Sequence, residues 1–141
     1  MMTLKEYTNK LDRLRKLMRY RVESGQDYDD LYEKYTNTQF NYMNEVLEEY
    51  RKTANTPEKQ VCYELLEYAV ERSETGNSIQ YLEDEDLANK VDNIIYDELG
   101  DYLLDVETYY DRYEKAWAID CMFGGYFVPY WDGIEESIWD K

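Results

Sequence analysis

Apolar positions recur three and four residues apart through most of the chain, the spacing that lays a single stripe along a helix. Leu4, Tyr7, Leu11, Leu14 and Met18 open this pattern. Thr3 followed by Glu6 is a capping box that starts the first helix at Leu4, and Ser24-Gly25 ends it. Asp27 is the expected N-cap of a second helix, with Asp29 and Asp30 in the first turn, where the helix dipole favours acids. Tyr28, Tyr32, Tyr35, Tyr42, Val46 and Tyr50 hold helical register as a core edge. Thr36-Asn37-Thr38 has poor helix propensity and predicts a kink or restart. Thr56-Pro57 starts a third helix, with Val61, Leu65, Leu66, Ala69 and Val70 as its stripe and Gly76 as its stop. Residues 77–80 read as a loop. A fourth helix begins in the acidic run 83–86 and buries Leu87, Val91, Ile94 and Ile95.

Residues 97–117 continue the same spacing. Leu103, Val106, Tyr110, Tyr113 and Trp117 form an apolar seam, while Asp97, Asp101 and Asp105 lie four apart beside it. Glu107, Asp111 and Glu114 make a second carboxylate row, broken by tyrosines. Carboxylates at i and i+4 repel and weaken a helix unless a packed face holds it, so this charge points to a role outside the helix's own stability. Gly100 either breaks this segment or sits inside one helix from 84 to about 122, and a break is favoured. Gly124-Gly125 ends it. Tyr126 to Trp131 is extended, since residue 128 precedes a proline, and a short helical turn follows at 134–139. The expected fold is all-α: a compact bundle of four to five helices with the 101–122 helix at its centre and an irregular aromatic-rich C-terminal segment. It forms one domain over 1–141, made of a basic first helix (1–23), acidic helices (81–122) and an aromatic segment (123–141). That segment folds back to cap the bundle, with docking onto a partner or a second copy as the competing reading.

Charge sharpens the picture. The 141 residues carry a formal charge of -16. Residues 1–23 hold seven basic and three acidic side chains, whereas 81–141 hold four and seventeen. A field of this sign disfavours direct contact with nucleic acid and attracts basic protein surfaces. The basic face of the first helix, with Lys10, Arg13, Lys16 and Arg19, reads as an internal partner for the acids rather than a phosphate-binding patch. Seventeen tyrosines, three tryptophans and three phenylalanines supply large apolar surfaces with polar tips.

Candidate chemistry narrows the classes further. There is no histidine, so Ser-His-Asp and Cys-His arrangements are missing, as are the common zinc, di-iron and haem ligand sets. Cys62 and Cys121 stand alone and read as small buried hydrophobes in a reducing compartment. No phosphate-binding glycine motif occurs, and the 83–86 run lacks the glycine and final glutamate of an EF-hand loop. No cofactor is expected. The start is too polar for a signal peptide, and no stretch approaches the ~18 apolar residues of a membrane span; a cytoplasmic protein with no membrane partner is expected.

Acids presented at short intervals offer a nucleic-acid groove an alternative ligand, and interleaved tyrosines add cation–π partners for arginine. In size, charge and tyrosine content the chain is similar to small acidic inhibitors of phages and mobile elements, such as anti-CRISPR and anti-restriction proteins. The resemblance implies a non-enzymatic inhibitor whose partner is a basic nucleic-acid-binding protein or nuclease. The residues expected to carry it are Asp97, Asp101, Asp105, Glu107, Asp111 and Glu114 as phosphate substitutes, with Tyr109 packing at the contact. Two alternatives stay open: an immunity or antitoxin protein against a basic toxin, and a homo-oligomeric helical adaptor, with a homodimer through the aromatic tail and the first-helix seam.

Overall fold

The computed structural model describes residues 2–72 and 77–127. Gly76 and the aromatic residues beyond Phe127 therefore lie outside the described residues. The chain divides into two compact units, one through Val46 and one from Leu47, and α2 contributes to both.

Local capping signals produce the helices of the first unit. In α1 (Leu4–Glu23) the Glu6 amide donates to Thr3 Oγ1 at 3.2 Å and the Thr3 amide to Glu6 Oε1 at 3.3 Å. Leu11, Leu14 and Met18 of the seam are buried. Gly25, at φ +70°, supplies the left-handed residue after the helix. α2 (Asp29–Arg51) runs unbroken through the threonines that predict a kink. The Thr36 and Thr38 hydroxyls donate to the Tyr32 and Lys34 carbonyls one turn back at 2.9 and 2.8 Å, satisfying the hydroxyls inside the helix. Three contacts set α1 and α2 antiparallel. The Tyr7 and Tyr42 rings meet edge-on at 6.4 Å, Arg15 Nε donates to the Tyr35 hydroxyl at 2.9 Å, and Arg21 pairs with Asp30. Arg13, Lys16 and Arg19 lie exposed along α1.

The second unit is not the bundle expected from the sequence. It is mixed α/β, so the all-α reading is overturned. α3 (Pro57–Glu71) starts as expected, with the Lys59 amide on Thr56 Oγ1 at 3.2 Å, and α4 (Glu85–Ile94) is capped by Asp84. Residues 77–80, expected as a loop, belong to strand β1 (Asn77–Leu82). The chain breaks helical geometry near Gly100, as favoured, through a π turn (Ile95–Leu99) and a 3₁₀ turn (Gly100–Tyr102). The expected central helix over 101–122 is a β-hairpin: β2 (Leu103–Asp111) and β3 (Ala116–Phe123). The sheet is antiparallel with the order β1-β3-β2.

The physical reason lies in the alternation of β2 and the apolar run of β3. Val106, Thr108 and Tyr110 alternate with Asp105, Glu107, Tyr109 and Asp111, a period of two rich in β-branched and aromatic residues. Tyr113, a seam residue of the expected helix, is 98% exposed at the hairpin turn, whereas Val106 is 8% exposed. β3 is buried along most of its length, as a central strand should be. One face of the sheet takes α3 and α4. There, Ser78 Oγ donates to the Leu65 carbonyl at 2.6 Å and Thr108 Oγ1 to Asp92 at 2.9 Å, over a core that includes Leu65, Leu66, Val91, Ile95 and Ile119.

Phe127 closes one end of this core. It is 1% exposed and stacks on Phe123 at 5.6 Å and Tyr102 at 5.5 Å. Tyr126 and Phe127, expected to be extended, belong instead to a 3₁₀ turn (Gly125–Phe127), and the rest of the aromatic segment expected to cap a bundle lies outside the described residues. Phe127→Ala should destabilise the protein by about 3–5 kcal/mol, measured as a shift of the guanidinium unfolding midpoint at unchanged slope.

Candidate functional site

The strand register assembles a distinctive surface on the face of the sheet opposite α3 and α4. Directly opposite residues of antiparallel strands share a face, so the pairings read as rows across β1, β3 and β2. Asn77, Met122 and Asp105 make one row; Ile79, Asp120 and Glu107 the next; Tyr81, Ala118 and Tyr109 the third. Ala116 and Asp111 complete it beside the hairpin turn. Tyr81 and Met122 are 43% and 45% exposed, and Asp105 and Glu107 are exposed. Ala118 lies between two tyrosines at the same level and has 0% exposure. A small residue there lets both rings close over the strand.

The electrostatics of this face are one-sided. Glu107 and Asp120 are direct cross-strand partners, an arrangement that weakens a sheet; Arg72 borders the same depression as Asp120 and Met122, although no described ion pair joins it to a carboxylate of this face. Burial, and then the carboxylates of Asp111, Glu114 and Asp120, push the Tyr81 phenol above its ordinary value. Burial followed by Asp120 does the same to Tyr109. Both phenols therefore stay neutral, and able to donate, well into the alkaline range.

Asp111 has a second task. Its Oδ1 accepts from the Tyr113 and Glu114 amides at 2.9 and 3.0 Å, shaping the turn in which Lys115 adopts φ +53°.

Of the residues expected to act together, the structure gathers Asp105, Glu107, Tyr109 and Asp111 on this face, with Glu114 in the turn beside it. It does so with a period of two, not as helical stripes. Asp97 and Asp101 are not among them. They sit exposed on the π and 3₁₀ turns, and the row Asp97, Asp101, Asp105 requires a helix that does not exist. Asp120, Tyr81 and Met122 are functional candidates that the helical reading missed. Their signal is the run Ala116–Phe123: read as a strand, it turns Asp120 away from Ile119 and Cys121.

Comparison with protein-family models, curated proteins and solved structures finds no match.

A second polar cluster binds the core together instead of offering chemistry. Glu98, on the π turn, accepts from the Tyr50 hydroxyl at 3.1 Å and pairs with Lys59 at 3.1 Å. Both charged partners are about a third exposed, so the ion pair contributes under about 1 kcal/mol. Burial pushes the Cys62 thiol beside it up to about 11 and that of Cys121 up to about 12. Both cysteines are free and buried, and neutral thiols are poor nucleophiles. Among the described residues no group of three or more His, Cys, Asp or Glu is placed to hold a metal, and no helix is long and apolar enough to cross a membrane.

The dual role of Asp111 separates charge from architecture. Asp111→Ala should cost about 1–2 kcal/mol by removing the acceptor of two turn amides, whereas Asp111→Asn, which keeps that acceptor, should stay within about 0.5 kcal/mol of the parent. Chemical denaturation of both variants checks this.

Proposed function

We propose that the protein is a non-enzymatic inhibitor whose open sheet face occupies the positively charged groove of an enzyme that handles DNA or RNA. The observation that carries this reading is the cross-strand pair of carboxylates Glu107 and Asp120, with Asp105 one row away, beside Tyr81 and Tyr109. Keeping acids opposite one another weakens the sheet, and an external cation would make the arrangement more favourable. Arginines on the partner would meet the carboxylates of Asp105, Glu107 and Asp120 and, one row along the strands, the rings of Tyr81 and Tyr109.

Charge spacing refines which nucleic acid the face imitates. Six residue steps from Asp105 to Asp111 span about 20 Å of strand. Over that length one strand of a B-form duplex presents about six phosphates and both strands together about twelve. The face offers Asp105, Glu107, Asp111, Glu114 and Asp120, close to the density of one strand. Tyrosines add the stacking surface that exposed bases give single-strand-binding grooves. The tyrosines favour imitation of a single strand with exposed bases, and an immunity protein that grips an exosite of a basic toxin is the alternative the test separates.

The test uses Asp105→Asn, Glu107→Gln and Asp120→Asn together, changes that keep shape while removing charge. Tagged wild-type protein should capture a basic nucleic-acid enzyme from a nuclease-treated bacterial lysate, and single-stranded DNA should release it. The triple variant should bind that enzyme at least about tenfold more weakly while melting at the same temperature or higher, because the Glu107–Asp120 repulsion is gone. Undiminished binding by the triple variant would remove this face from the site. Capture that DNA does not disturb would favour the exosite reading.

A further inference from the structure

Many tyrosine rings of this chain are already engaged. Tyr7 and Tyr42 meet each other, Tyr102 stacks on Phe127, and Tyr110 packs edge-on against Trp117 at 5.4 Å. Tyr35 and Tyr68 lie beneath guanidinium groups, with Arg15 at 5.5 Å and Arg72 at 4.4 Å from the ring centres. Tyr81 and Tyr109 have no ring contact, no cation above them and no phenol hydrogen bond among the described residues. The register nevertheless sets them across one small residue, Ala118, which has no exposure. Neighbouring strands are about 4.8 Å apart, so the two rings rise from backbones about 10 Å apart on either side of β3. Successive rows on one face are about 7 Å apart, which puts Glu107 and Asp120 on one side of the tyrosines and Asp111 on the other. Carboxylates of both rows act on the phenols: after burial, Asp111 is the first charge to raise Tyr81, and Asp120 the first to raise Tyr109.

We propose that the row Tyr81–Ala118–Tyr109 selects arginine over lysine in the partner, seating one guanidinium on the two rings with its N–H groups directed to the acid rows on both sides. This selection rests on the inhibitory reading, which supplies a basic partner surface, and adds which cation that surface presents here. A net charge of -16 draws any polycation, so charge alone does not discriminate. The rings do. A guanidinium is flat and weakly hydrated, so it lies on an aromatic face and still offers five N–H donors around its rim. An ammonium is compact and strongly hydrated, and its three donors diverge from one point; it pairs with one acid row and gains little from the rings. Acids on both sides of an aromatic row therefore suit a planar fork, which hydrogen-bonds in its own plane while the rings hold its face. Because both phenols stay neutral, their oxygens accept at the same rim. The chain makes this contact within itself: the two described cations over tyrosine rings are both arginines, and Arg15 Nε also donates to the phenol of the ring it covers at 2.9 Å.

Capped hexa-arginine and hexa-lysine peptides carry equal charge and so separate ring recognition from bulk attraction. At physiological ionic strength the wild type should bind hexa-arginine at least about tenfold more tightly than hexa-lysine. Tyr81→Leu with Tyr109→Leu keeps apolar bulk and every carboxylate, and should reduce that ratio to about twofold or less while the protein still melts cooperatively. A second reading needs no variant: hexa-arginine should shift the ring-proton resonances of Tyr81 and Tyr109 more than those of Tyr20 and Tyr96, which are exposed elsewhere. Equal affinity for the two peptides, an undiminished ratio in the folded double variant, or unmoved Tyr81 and Tyr109 rings would each overturn the selection of arginine. Asp105→Asn, Glu107→Gln and Asp120→Asn together keep the two claims apart, since they should weaken both peptides. Loss of the arginine preference with that acid dependence intact would sink the selection alone, whereas undiminished binding of both peptides by the acid variant would remove the face itself.

Discussion

The second unit depends on one constraint: β3 is buried, so its backbone must find hydrogen-bond partners along both edges. Ala116, Ala118, Ile119, Cys121 and Phe123 leave almost no surface to water, and a buried amide or carbonyl without a partner costs several times what a made hydrogen bond contributes. β2 satisfies one edge through a short turn. β1, almost forty residues earlier, satisfies the other. This pairing holds α3 and α4 against one face, because Ser78 and Thr108, from the two flanking strands, reach the helices by hydrogen bonds. It also decides where Asp120 goes. The single charged residue of β3 cannot enter the core, so it must turn to the open face, and there it meets Glu107.

That meeting separates stability from function. The core side of the sheet is apolar with its few polar atoms paired, and no buried side-chain polar atom among the described residues lacks a partner. The open side carries acids that repel each other and two tyrosines that stay protonated. Where an acid does structural work it is visibly partnered: Asp30 on Arg21, Glu98 on Lys59 and Tyr50, Asp92 on Thr108. Asp105 and Asp111 hold backbone amides as well. Glu107 and Asp120 have no such work, so they are the strongest markers of a surface kept for something else.

Much of the helical architecture was legible because its signals are local. Thr3 with Glu6, Thr56 with Pro57, and Asp84 ahead of its helix each satisfy amides only a few residues away, so short windows contain the whole physical cause. The hairpin was not legible in that way. In 103–117, tyrosine occurs so often that two periods fit. Leu103, Val106, Tyr110, Tyr113 and Trp117 match a helix, and Asp105, Glu107, Tyr109 and Asp111 match one face of a strand. A tyrosine counts as apolar at either period, so periodicity alone could not choose. The deciding information is tertiary: the apolar run of β3 needs two partners, and one of them is β1, whose NSIQYL resembles a loop when read alone. The site divides accordingly. Asp105, Glu107, Tyr109 and Asp111 stay together under both periods, Asp97 and Asp101 belong only to the helical one, and Asp120 and Tyr81 become visible only once strands are paired.

The central claim is that residues 103–123 form a hairpin whose outward positions gather the carboxylates and tyrosines. Backbone nuclear Overhauser contacts test it most directly. Cross-strand contacts are expected between Thr108 and Ile119 and between Tyr109 and Ala118, with further contacts from Ala118 to Tyr81. A ladder of contacts between residues three apart through 101–122, as in a helix, would contradict it and dissolve the proposed face.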